Sequence, residues 1–308
     1  MGHVAREPGA PRPSDAELAA ARGPQPLAPG LDRSPGHLLW RAHTRSAAAL
    51  DAVIPEDVDV HAYGVLTLLG LDEPRSQQEL ATALALSRTS LTRVTAWLRE
   101  RALVERVRNP RDRRSWALTR TPEGAAAADR WRTDVRRLQA ELASHLGPGE
   151  PAELSALLLR VAAPDVGPGA PAEIAGMLGF GIAKAHHAVH RRFASALEPL
   201  DLEPRHVGAL TALTGAPAIT QAELARLLGT SAASVVQMVD GLEDRGLVER
   251  RRDPVDRRVQ RLHVTDAGHA RLAELPDVRR SAGEALLGLD DAEAERLTAL
   301  LVRFVTAP

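Results

Sequence analysis

Arginine side chains cluster between Leu86 and Arg120. This stretch contains ten arginines and three acidic residues, which gives it a local charge of +7 in a chain whose net charge is −1. Guanidinium groups bind phosphates and carboxylates through paired N–H donors. An excess of this kind is the electrostatic footprint that phosphate binding needs. We therefore expect this stretch to face a phosphate-bearing partner.

A second arginine-rich stretch, from Thr230 to Val264, is nearly neutral. It holds seven arginines and six acidic residues, a local charge of +1. Lys184 is the only lysine of the chain. Guanidinium chemistry favours bidentate contacts, but genomic base composition explains the preference for arginine at least as well. The two stretches are thus not electrically equivalent.

The two stretches belong to an internal repeat. Val60 to Gly124 aligns with Pro204 to Gly268 without a gap at a constant shift of 144 residues, and the best-matched 49 positions contain about 21 identities. A chain of 308 residues is long enough for two ordinary domains. The sequence therefore predicts one structural unit built twice, called repeat 1 and repeat 2 below.

Each repeat carries the start signals of two successive helices. Ser76 with Glu79 and Thr220 with Glu223 have the Ser/Thr-x-x-Glu spacing of a capping box. A few residues later a serine stands where it can cap a second helix, whose apolar residues recur at i, i+3 and i+7. Two helices joined by a tight turn result, and the outer face of the second is free to touch a partner.

A hairpin follows the helix pair in each repeat. The runs LVERVR and LVERRR lead into Asn109-Pro110 or Asp253-Pro254, and a second short run comes before Thr121 or Thr265. The predicted fold class is mainly α with small β wings: two winged helix-turn-helix lobes joined through a helical interface. In this fold the second helix enters the major groove of DNA and the wing reaches a flanking minor groove.

Four features together make the resemblance specific: QxELA, a serine-started helix, GLVER and the wings NPRDRRSWALTRTPEG and DPVDRRVQRLHVTDAG. This combination resembles the MarR family of bacterial transcriptional regulators, over nearly everything after residue 35. The resemblance implies a homodimer whose first and last helices interlock. Because one chain holds both halves here, we predict a monomeric chain that acts as an intramolecular pseudo-dimer.

The domain organisation follows from the repeat. Residues 1–35 are rich in Pro, Gly and Ala and lack a sustained apolar period, which is typical of a disordered tail. The predicted division is a tail at 1–35, a MarR-like repeat 1 at 36–163, a linker at 164–172 and a MarR-like repeat 2 at 173–308. Opening helices are predicted from about His37 to Val53 and from about Glu173 to Leu197.

The outer faces of the second helices are the predicted base readers. Arginine pairs bidentately with guanine, glutamine addresses adenine, and threonine or small apolar groups contact thymine methyls. The serines are secondary candidates, since Ser87 and Ser231 serve equally well as helix caps. A solvated helix face is the alternative. The predicted contacts are Ser87, Arg88, Thr89, Ser90, Thr92 and Arg93 in repeat 1, and Ser231, Ala232, Ala233, Ser234, Val236 and Gln237 in repeat 2.

The wings supply the other predicted contacts: Asp112, Arg113 and Arg114 in repeat 1, and Asp256, Arg257 and Arg258 in repeat 2. A carboxylate that holds one guanidinium while its neighbour enters the minor groove fits this pattern. The family pattern favours Arg114 and Arg258 as the inserted residues. Simple bracing of the hairpin is the alternative.

Evidence for a small ligand is weaker. The resemblance suggests an inter-lobe pocket for a small aromatic or phenolic effector, with Trp40, His61, Trp131 and His206 as weak candidates. Scattered aromatics are more often core or surface residues. Trp97 is expected to pack rather than to bind. His186 and His190 have the i, i+4 spacing of metal ligands, but without nearby carboxylates or cysteines we predict no metal and no cofactor.

Composition excludes several classes of protein. The absence of cysteine removes disulfides and thiol redox chemistry, and no apolar run approaches the roughly 20 residues of a membrane span. We therefore expect a cytoplasmic protein with no membrane partner. No motif of an enzyme has a convincing context. Double-stranded DNA, as an asymmetric pseudo-palindrome, is the predicted partner; the alternative is a protein-binding scaffold, or a regulator whose repeat 2 no longer reads DNA.

Overall fold

The architecture is helical, with one β hairpin in each repeat. The computed structural model describes residues 18, 27–55, 58–70, 73–163, 172–216 and 218–308, excepting the side chains of 276–286. Most of the predicted tail and nearly all of the predicted linker lie outside the described residues. The division into domains predicted from the repeat therefore stays a prediction.

The elements run in the same order in both repeats. In repeat 1 they are α1 (Pro35–Val53), α2 (Val60–Leu68), α3 (Gln77–Leu84), α4 (Arg88–Glu100), β1 (Val104–Arg108), β2 (Trp116–Arg120), α5 (Pro122–Ala143) and α6 (Glu150–Ala162). In repeat 2 they are α7 (Ala172–Ala175), α8 (Leu178–Leu197), a 3-10 turn (Glu198–Leu200), α9 (Pro204–Gly215), α10 (Gln221–Leu228), α11 (Ala232–Asp244), β3 (Val248–Arg252), β4 (Gln260–Val264), α12 (Asp266–Leu287) and α13 (Asp291–Thr306).

The chain packs as two compact units. Unit 1 contains Ala49–Ser144 and Pro151–Lys184; unit 2 contains the described residues from 18 to 48, His145–Glu150 and Ala185–Pro308. Unit 1 thus holds the winged helix of repeat 1 and the first turns of α8. Unit 2 holds the winged helix of repeat 2 and most of α1.

The helix starts predicted from capping are confirmed. The Ser76 side chain accepts the N–H of Glu79 while the Glu79 carboxylate accepts the N–H of Ser76, and Thr220 with Glu223 does the same in repeat 2. Ser87 and Ser231 cap the next helices by accepting the N–H of the residue three positions on. Each cap satisfies a donor that the first helical turn leaves unpaired.

The apolar stripe of each second helix points into its unit. Leu91, Val94 and Leu98 are buried on α4, and their equivalents Val235, Met238 and Leu242 are buried on α11. Burial of this face leaves the opposite face of α4 and of α11 towards solvent. We call α4 and α11 the reading helices.

The wings are antiparallel pairs anchored at their base. In wing 1 (β1 and β2) Val104 pairs with Arg120 and Arg108 with Trp116; wing 2 (β3 and β4) has the same register. The long helix after wing 1 starts at a tight approach, because a Cβ on Gly124 would stand 2.0 Å from the carbonyl oxygen of Leu103. Only glycine fits there, which explains the shared TPEG and TDAG sequences.

Two features of the helices differ from expectation or were missed. The predicted helix from Glu173 to Leu197 is broken, since α7 ends at Ala175 and α8 begins at Leu178. Gly176 stands at the break, and glycine costs a helix interior about 1 kcal/mol relative to alanine. The 22-residue helices α5 and α12 were not predicted as elements.

Candidate nucleic-acid interface

The reading helix of repeat 1 exposes the four predicted base readers. Arg88, Thr89, Thr92 and Arg93 are all exposed. The Thr92 hydroxyl donates to the carbonyl oxygen of Arg88 at 2.8 Å, so the helix already uses its donor. The surface therefore combines two guanidinium groups with two threonines.

Ser90 differs from the prediction that it contacts DNA. Only 1% of its surface is exposed, and its Oγ accepts the Ser87 hydroxyl at 2.9 Å. Because the side chain is turned inward, Ser90 supports the start of α4 and offers no surface to a partner. Ser87 is bound into the same cap through the N–H of Ser90.

The reading helix of repeat 2 presents a different surface. Ala232, Ala233, Val236 and Gln237 are exposed, and Val236 is 42% exposed. This face is apolar apart from the single amide of Gln237. Ser231 caps α11, and the hydroxyls of Ser231 and Ser234 are hydrogen-bonded 2.8 Å apart.

Each wing tip is shaped by an aspartate. Asp112 accepts the backbone N–H of Arg114 at 3.0 Å, and Asp256 accepts that of Arg258 at 3.0 Å. The carboxylate thus holds the backbone of the turn, where the sequence suggested that it holds a guanidinium. The exposed side chains that this turn presents are Arg113 and Arg114 in wing 1, and Arg257 and Arg258 in wing 2.

The turn between the strands is braced by different residues in the two wings. In wing 1 the Arg111 guanidinium pairs with Glu73 and, at 2.9 Å, with Glu79 of α3. The equivalent of Arg111 is Val255, which is 95% exposed and makes no such pair. Wing 2 is held instead by Asp253, which pairs with Arg261 of β4.

The ion pair between Asp253 and Arg261 lowers the pKa of the Asp253 carboxyl group. The Arg261 guanidinium, followed by the backbone N–H groups of Asp256 and Val255, lowers the pKa of Asp253 from 3.8 to about 2. The charged form of Asp253 therefore stabilises the folded wing at neutral pH.

The two wings also use one aligned arginine in opposite ways. In repeat 2, Arg250 of β3 pairs with Asp240 and Glu243 of the reading helix. Its equivalent Arg106 lies over the ring of Trp116 instead, with 4.4 Å between the guanidinium carbon and the ring centroid. Trp116 was not among the residues predicted from the sequence. Its position in the wing, opposite two arginines, was the available signal.

The weak ligand candidates are divided between the units. His61 and Trp131 belong to unit 1, while Trp40 and His206 belong to unit 2. Trp131 is buried and packs on Trp97 with 6.0 Å between ring centroids, which confirms that Trp97 packs.

The other two candidates also have structural contacts. His206 is buried and its Nδ1 accepts the N–H of Glu203 at the start of α9, while Trp40 packs on His186 with 5.7 Å between ring centroids. Effector binding by these four residues stays a prediction.

Histidines gather on α1 and α8 within unit 2. The ring of His186 stacks on His43 with 4.8 Å between centroids, and burial followed by repulsion from His43 holds the pKa of His186 well below 6.5. In the part of the chain that the structure describes, no group of three or more His, Cys, Asp or Glu residues is placed to hold a metal ion. The same part contains no helix long and apolar enough to cross a bilayer.

Helix, turn, reading helix and arginine-tipped wing, repeated once, define a tandem winged helix-turn-helix protein. A model of the MarR family matches residues 56–115 and 200–259. A putative transcriptional regulatory protein for the hcr operon of Thauera aromatica is 34% identical over 131 residues, which cover 42% of this chain and 79% of that protein. The chain belongs to the MarR family of transcriptional regulators.

Two solved structures are similar in sequence to parts of this chain. A transcriptional repressor, CouR, bound to a 23-mer DNA duplex is 34% identical, with 40% of this chain and 90% of that chain covered and a TM-score of 0.37. Wild-type MarR of E. coli in its apo form is 28% identical, with 37% and 85% covered and a TM-score of 0.34. The family assignment rests on the two family-model matches and on the identity with the Thauera protein.

Proposed function

We propose that this protein regulates transcription by binding double-stranded DNA through both of its reading helices, so that one chain supplies both halves of the DNA-binding unit. The observation that carries the proposal is the pair of exposed reading faces, each beside an arginine-tipped wing. Their side chains differ at every aligned exposed position. The operator is therefore a pseudo-palindrome with two unlike half-sites.

The chemistry of each face sets its half-site. Arg88 and Arg93 pair with guanines in the major groove of one half-site, and the threonines contact thymine methyls or phosphates. In the other half-site Val236 and the two alanines lie against thymine methyls, while Gln237 addresses adenine. The wing arginines enter the flanking minor grooves, with Arg114 and Arg258 as the inserted residues.

Pairing of the repeats within one chain removes a concentration-dependent step. Residues 164–171 join repeat 1 to repeat 2 in one chain, and a short covalent connection between two binding modules gives an effective concentration in the millimolar range. The presence of most of α1 in unit 2 and of the first turns of α8 in unit 1 supports an exchange of opening helices. The monomeric chain then binds its operator alone.

The regulation proposed for this unit is repression in the cytoplasm. A chain that occupies about one DNA turn between half-site centres blocks RNA polymerase. A small aromatic or phenolic effector releases the chain by shifting it to a state in which the reading helices no longer match the groove repeat.

One binding experiment tests the core of the proposal. The protein is titrated into labelled duplexes that carry its own upstream region, with footprinting and analytical ultracentrifugation of the complex. We expect one chain per duplex, two unlike protected segments about one turn apart and a steep linear fall of log K with log salt. Two chains per duplex would overturn the single-chain unit, and indifference to duplex would leave a protein-binding scaffold.

Neutralising substitutions test the residues. We expect Arg88→Gln with Arg93→Gln to weaken operator binding by at least tenfold, since each bidentate pair with guanine contributes about 1–3 kcal/mol. Gln237→Ala, the matched change in repeat 2, is expected to cost less because repeat 1 carries most of the positive field. Equal losses in the two repeats, measured by fluorescence anisotropy, would contradict this order.

A specific observation favours an alternative function, in which only repeat 1 binds DNA in a sequence-specific way. Asp240 and Glu243 on the reading helix of repeat 2 neutralise Arg250 and add negative charge beside the groove-facing surface. A footprint confined to a single half-site, unchanged by Gln237→Ala, would establish this alternative.

A further inference from the structure

A tryptophan and two arginines form an exposed cationic stack on wing 1. Trp116 opens β2 and is 41% exposed. The guanidinium carbons of Arg106 and Arg108 lie 4.4 and 4.3 Å from its ring centroid. Arg108 is also the cross-strand partner of Trp116, which brings the two side chains together. We call Arg106, Trp116 and Arg108 the wing 1 stack.

The charges of the stack have no acidic counterpart. Among the described residues neither Arg106 nor Arg108 forms an ion pair, although Glu105 directly precedes Arg106 in the strand. Two like charges held against one ring repel each other, and water screens exposed charges at such distances only in part. Cation–π attraction offsets some of this repulsion, by about 0.5–1 kcal/mol at an exposed site. The stack is thus arranged to receive negative charge from a partner.

Repeat 2 has no such stack, because the tryptophan is absent and one of the two aligned arginines is paired with acidic residues. Gln260 stands in place of Trp116, and the equivalent of Arg106 is Arg250, whose guanidinium is bound by Asp240 and Glu243. Only Arg252, the equivalent of Arg108, is exposed at the same position. The wing 1 stack therefore gives the two repeats different surfaces at one aligned place.

We propose that the wing 1 stack is a clamp for the DNA backbone that works in repeat 1 alone. Arg106 and Arg108 bind phosphates next to the minor groove that wing 1 enters, and the indole of Trp116 lies against the adjoining deoxyribose. This inference rests on the proposed function, since it names a further contact of the same interface.

The choice of DNA backbone over another partner follows from charge and position. The stack lies on the strands that lead to the exposed Arg113 and Arg114, so wing 1 exposes arginines both along its strands and at its tip. Because guanidinium groups resting on the indole lose little rotamer freedom when they bind, they meet a phosphate already oriented. Backbone contacts carry no sequence information, so the clamp strengthens binding to any duplex.

That property gives a test that needs no knowledge of the operator. Affinity for a random-sequence 30-base-pair duplex is measured by anisotropy between about 50 and 200 mM salt. We expect Trp116→Gln, which installs the residue of repeat 2, to weaken binding roughly three- to tenfold, as loss of a contact of about 1 kcal/mol would. Arg106→Gln and Arg108→Gln should each lower the slope of log K against log salt by about 0.9.

Matched variants separate a contact from a structural role. Arg250→Gln should leave the salt slope almost unchanged, since its guanidinium is already neutralised within repeat 2. Trp116→Phe keeps an aromatic face and should recover most of the affinity lost in Trp116→Gln. Thermal unfolding of each variant must stay within a few degrees of wild type for the comparison to count.

The outcomes are distinct. Wild-type affinity and slope in folded Trp116→Gln and Arg106→Gln would overturn the clamp while leaving DNA binding intact. Failure of the wild-type chain to bind any duplex at low salt would instead overturn the proposed function. If Trp116→Gln does not fold, the Arg106→Gln and Arg108→Gln slopes decide the question alone.

Discussion

Single aligned residues acquire different partners in the two repeats, and these partners decide what each residue can do. Gln77 donates to the hydroxyl of Thr95 at 3.1 Å. In repeat 2 the residue aligned with Thr95 is Val239, which has no hydroxyl, and the Nε2 of the aligned Gln221 is buried without a hydrogen-bond partner. A buried amide left unsatisfied costs about 1–3 kcal/mol. The two repeats therefore keep the same glutamine at this aligned position but differ in the residue with which it can form a hydrogen bond.

The pair of Asp253 with Arg261 leads to a prediction on stability. The aligned residues of repeat 1 are Asn109 and Ala117, so Asp253→Asn installs a natural alternative. We expect Asp253→Asn to lower the free energy of unfolding at pH 7, because the guanidinium and two backbone N–H groups lose their charged acceptor. Urea denaturation followed by circular dichroism measures the difference.

The pH dependence of that difference has a definite sign. The folded pKa of Asp253, about 2, lies below its ordinary value of 3.8, so its contribution is fully present above pH 4. It is lost as the pH falls from about 4 towards 2, and wild type and Asp253→Asn should converge there. Asn109→Asp, which meets Ala117 rather than an arginine, should bring no gain. A constant gap down to pH 2.5 would count against the ion pair.

At the scale of whole elements, the opening helix of repeat 2 takes part in the helix-turn-helix of repeat 1 within unit 1. Lys184 of α8 is 5% exposed, and its ammonium donates to the carbonyl oxygen of Ala85 at 2.8 Å. Ala85 ends α3 with φ 48°, a left-handed conformation that its equivalent Gly229 adopts without a Cβ. Lys184 thus holds a strained turn directly ahead of the reading helix.

We expect Lys184→Met to lower the free energy of unfolding by about 1–3 kcal/mol, since a carbonyl in the turn loses its donor. Lys184→Arg should lose less, because it keeps a donor and a positive charge. As Lys184 is the only lysine, amine-reactive labelling followed by mass spectrometry reports on it directly. Modification should be much slower in the native chain than in urea, and equal rates would show that the contact is not maintained in solution.

The elements differ in how far the sequence revealed them. Capping residues act within three or four positions, so Ser76, Thr220 and Ser231 marked helix starts that the structure confirms. Contacts between distant segments, such as that of Lys184 with Ala85, depend on the packing of the folded chain. No local pattern encodes them. The break at Gly176 was missed because the apolar spacing on both sides is compatible with one helix.

At the scale of the whole molecule, duplication within one chain allows the two faces that we propose to read DNA to diverge independently. A symmetric homodimer must read the same half-site twice, since both copies change together. In a fused chain each reading face can change alone. The contrast between Arg88 or Arg93 and the apolar face of α11 is the result expected of such independence.

A graft between the repeats tests this independence. Four substitutions give α11 the exposed side chains of α4: Ala232→Arg, Ala233→Thr, Val236→Thr and Gln237→Arg. Because these positions are exposed, the fold of repeat 2 should be retained. Selection from a pool of random duplexes should return two unlike half-sites for the wild type and a symmetric palindrome of the repeat 1 half-site for the graft.

The reverse graft is the matched control and gives α4 the exposed side chains of α11: Arg88→Ala, Thr89→Ala, Thr92→Val and Arg93→Gln. Selection with this variant should return the repeat 2 half-site twice, with weaker overall affinity than the wild type. Weaker affinity is expected because the two arginines carry much of the positive field of repeat 1. If the forward graft selects the same unlike half-sites as the wild type, the exposed side chains of α11 do not read bases. Specificity would then come from the wings or from DNA shape, which the four substitutions leave untouched.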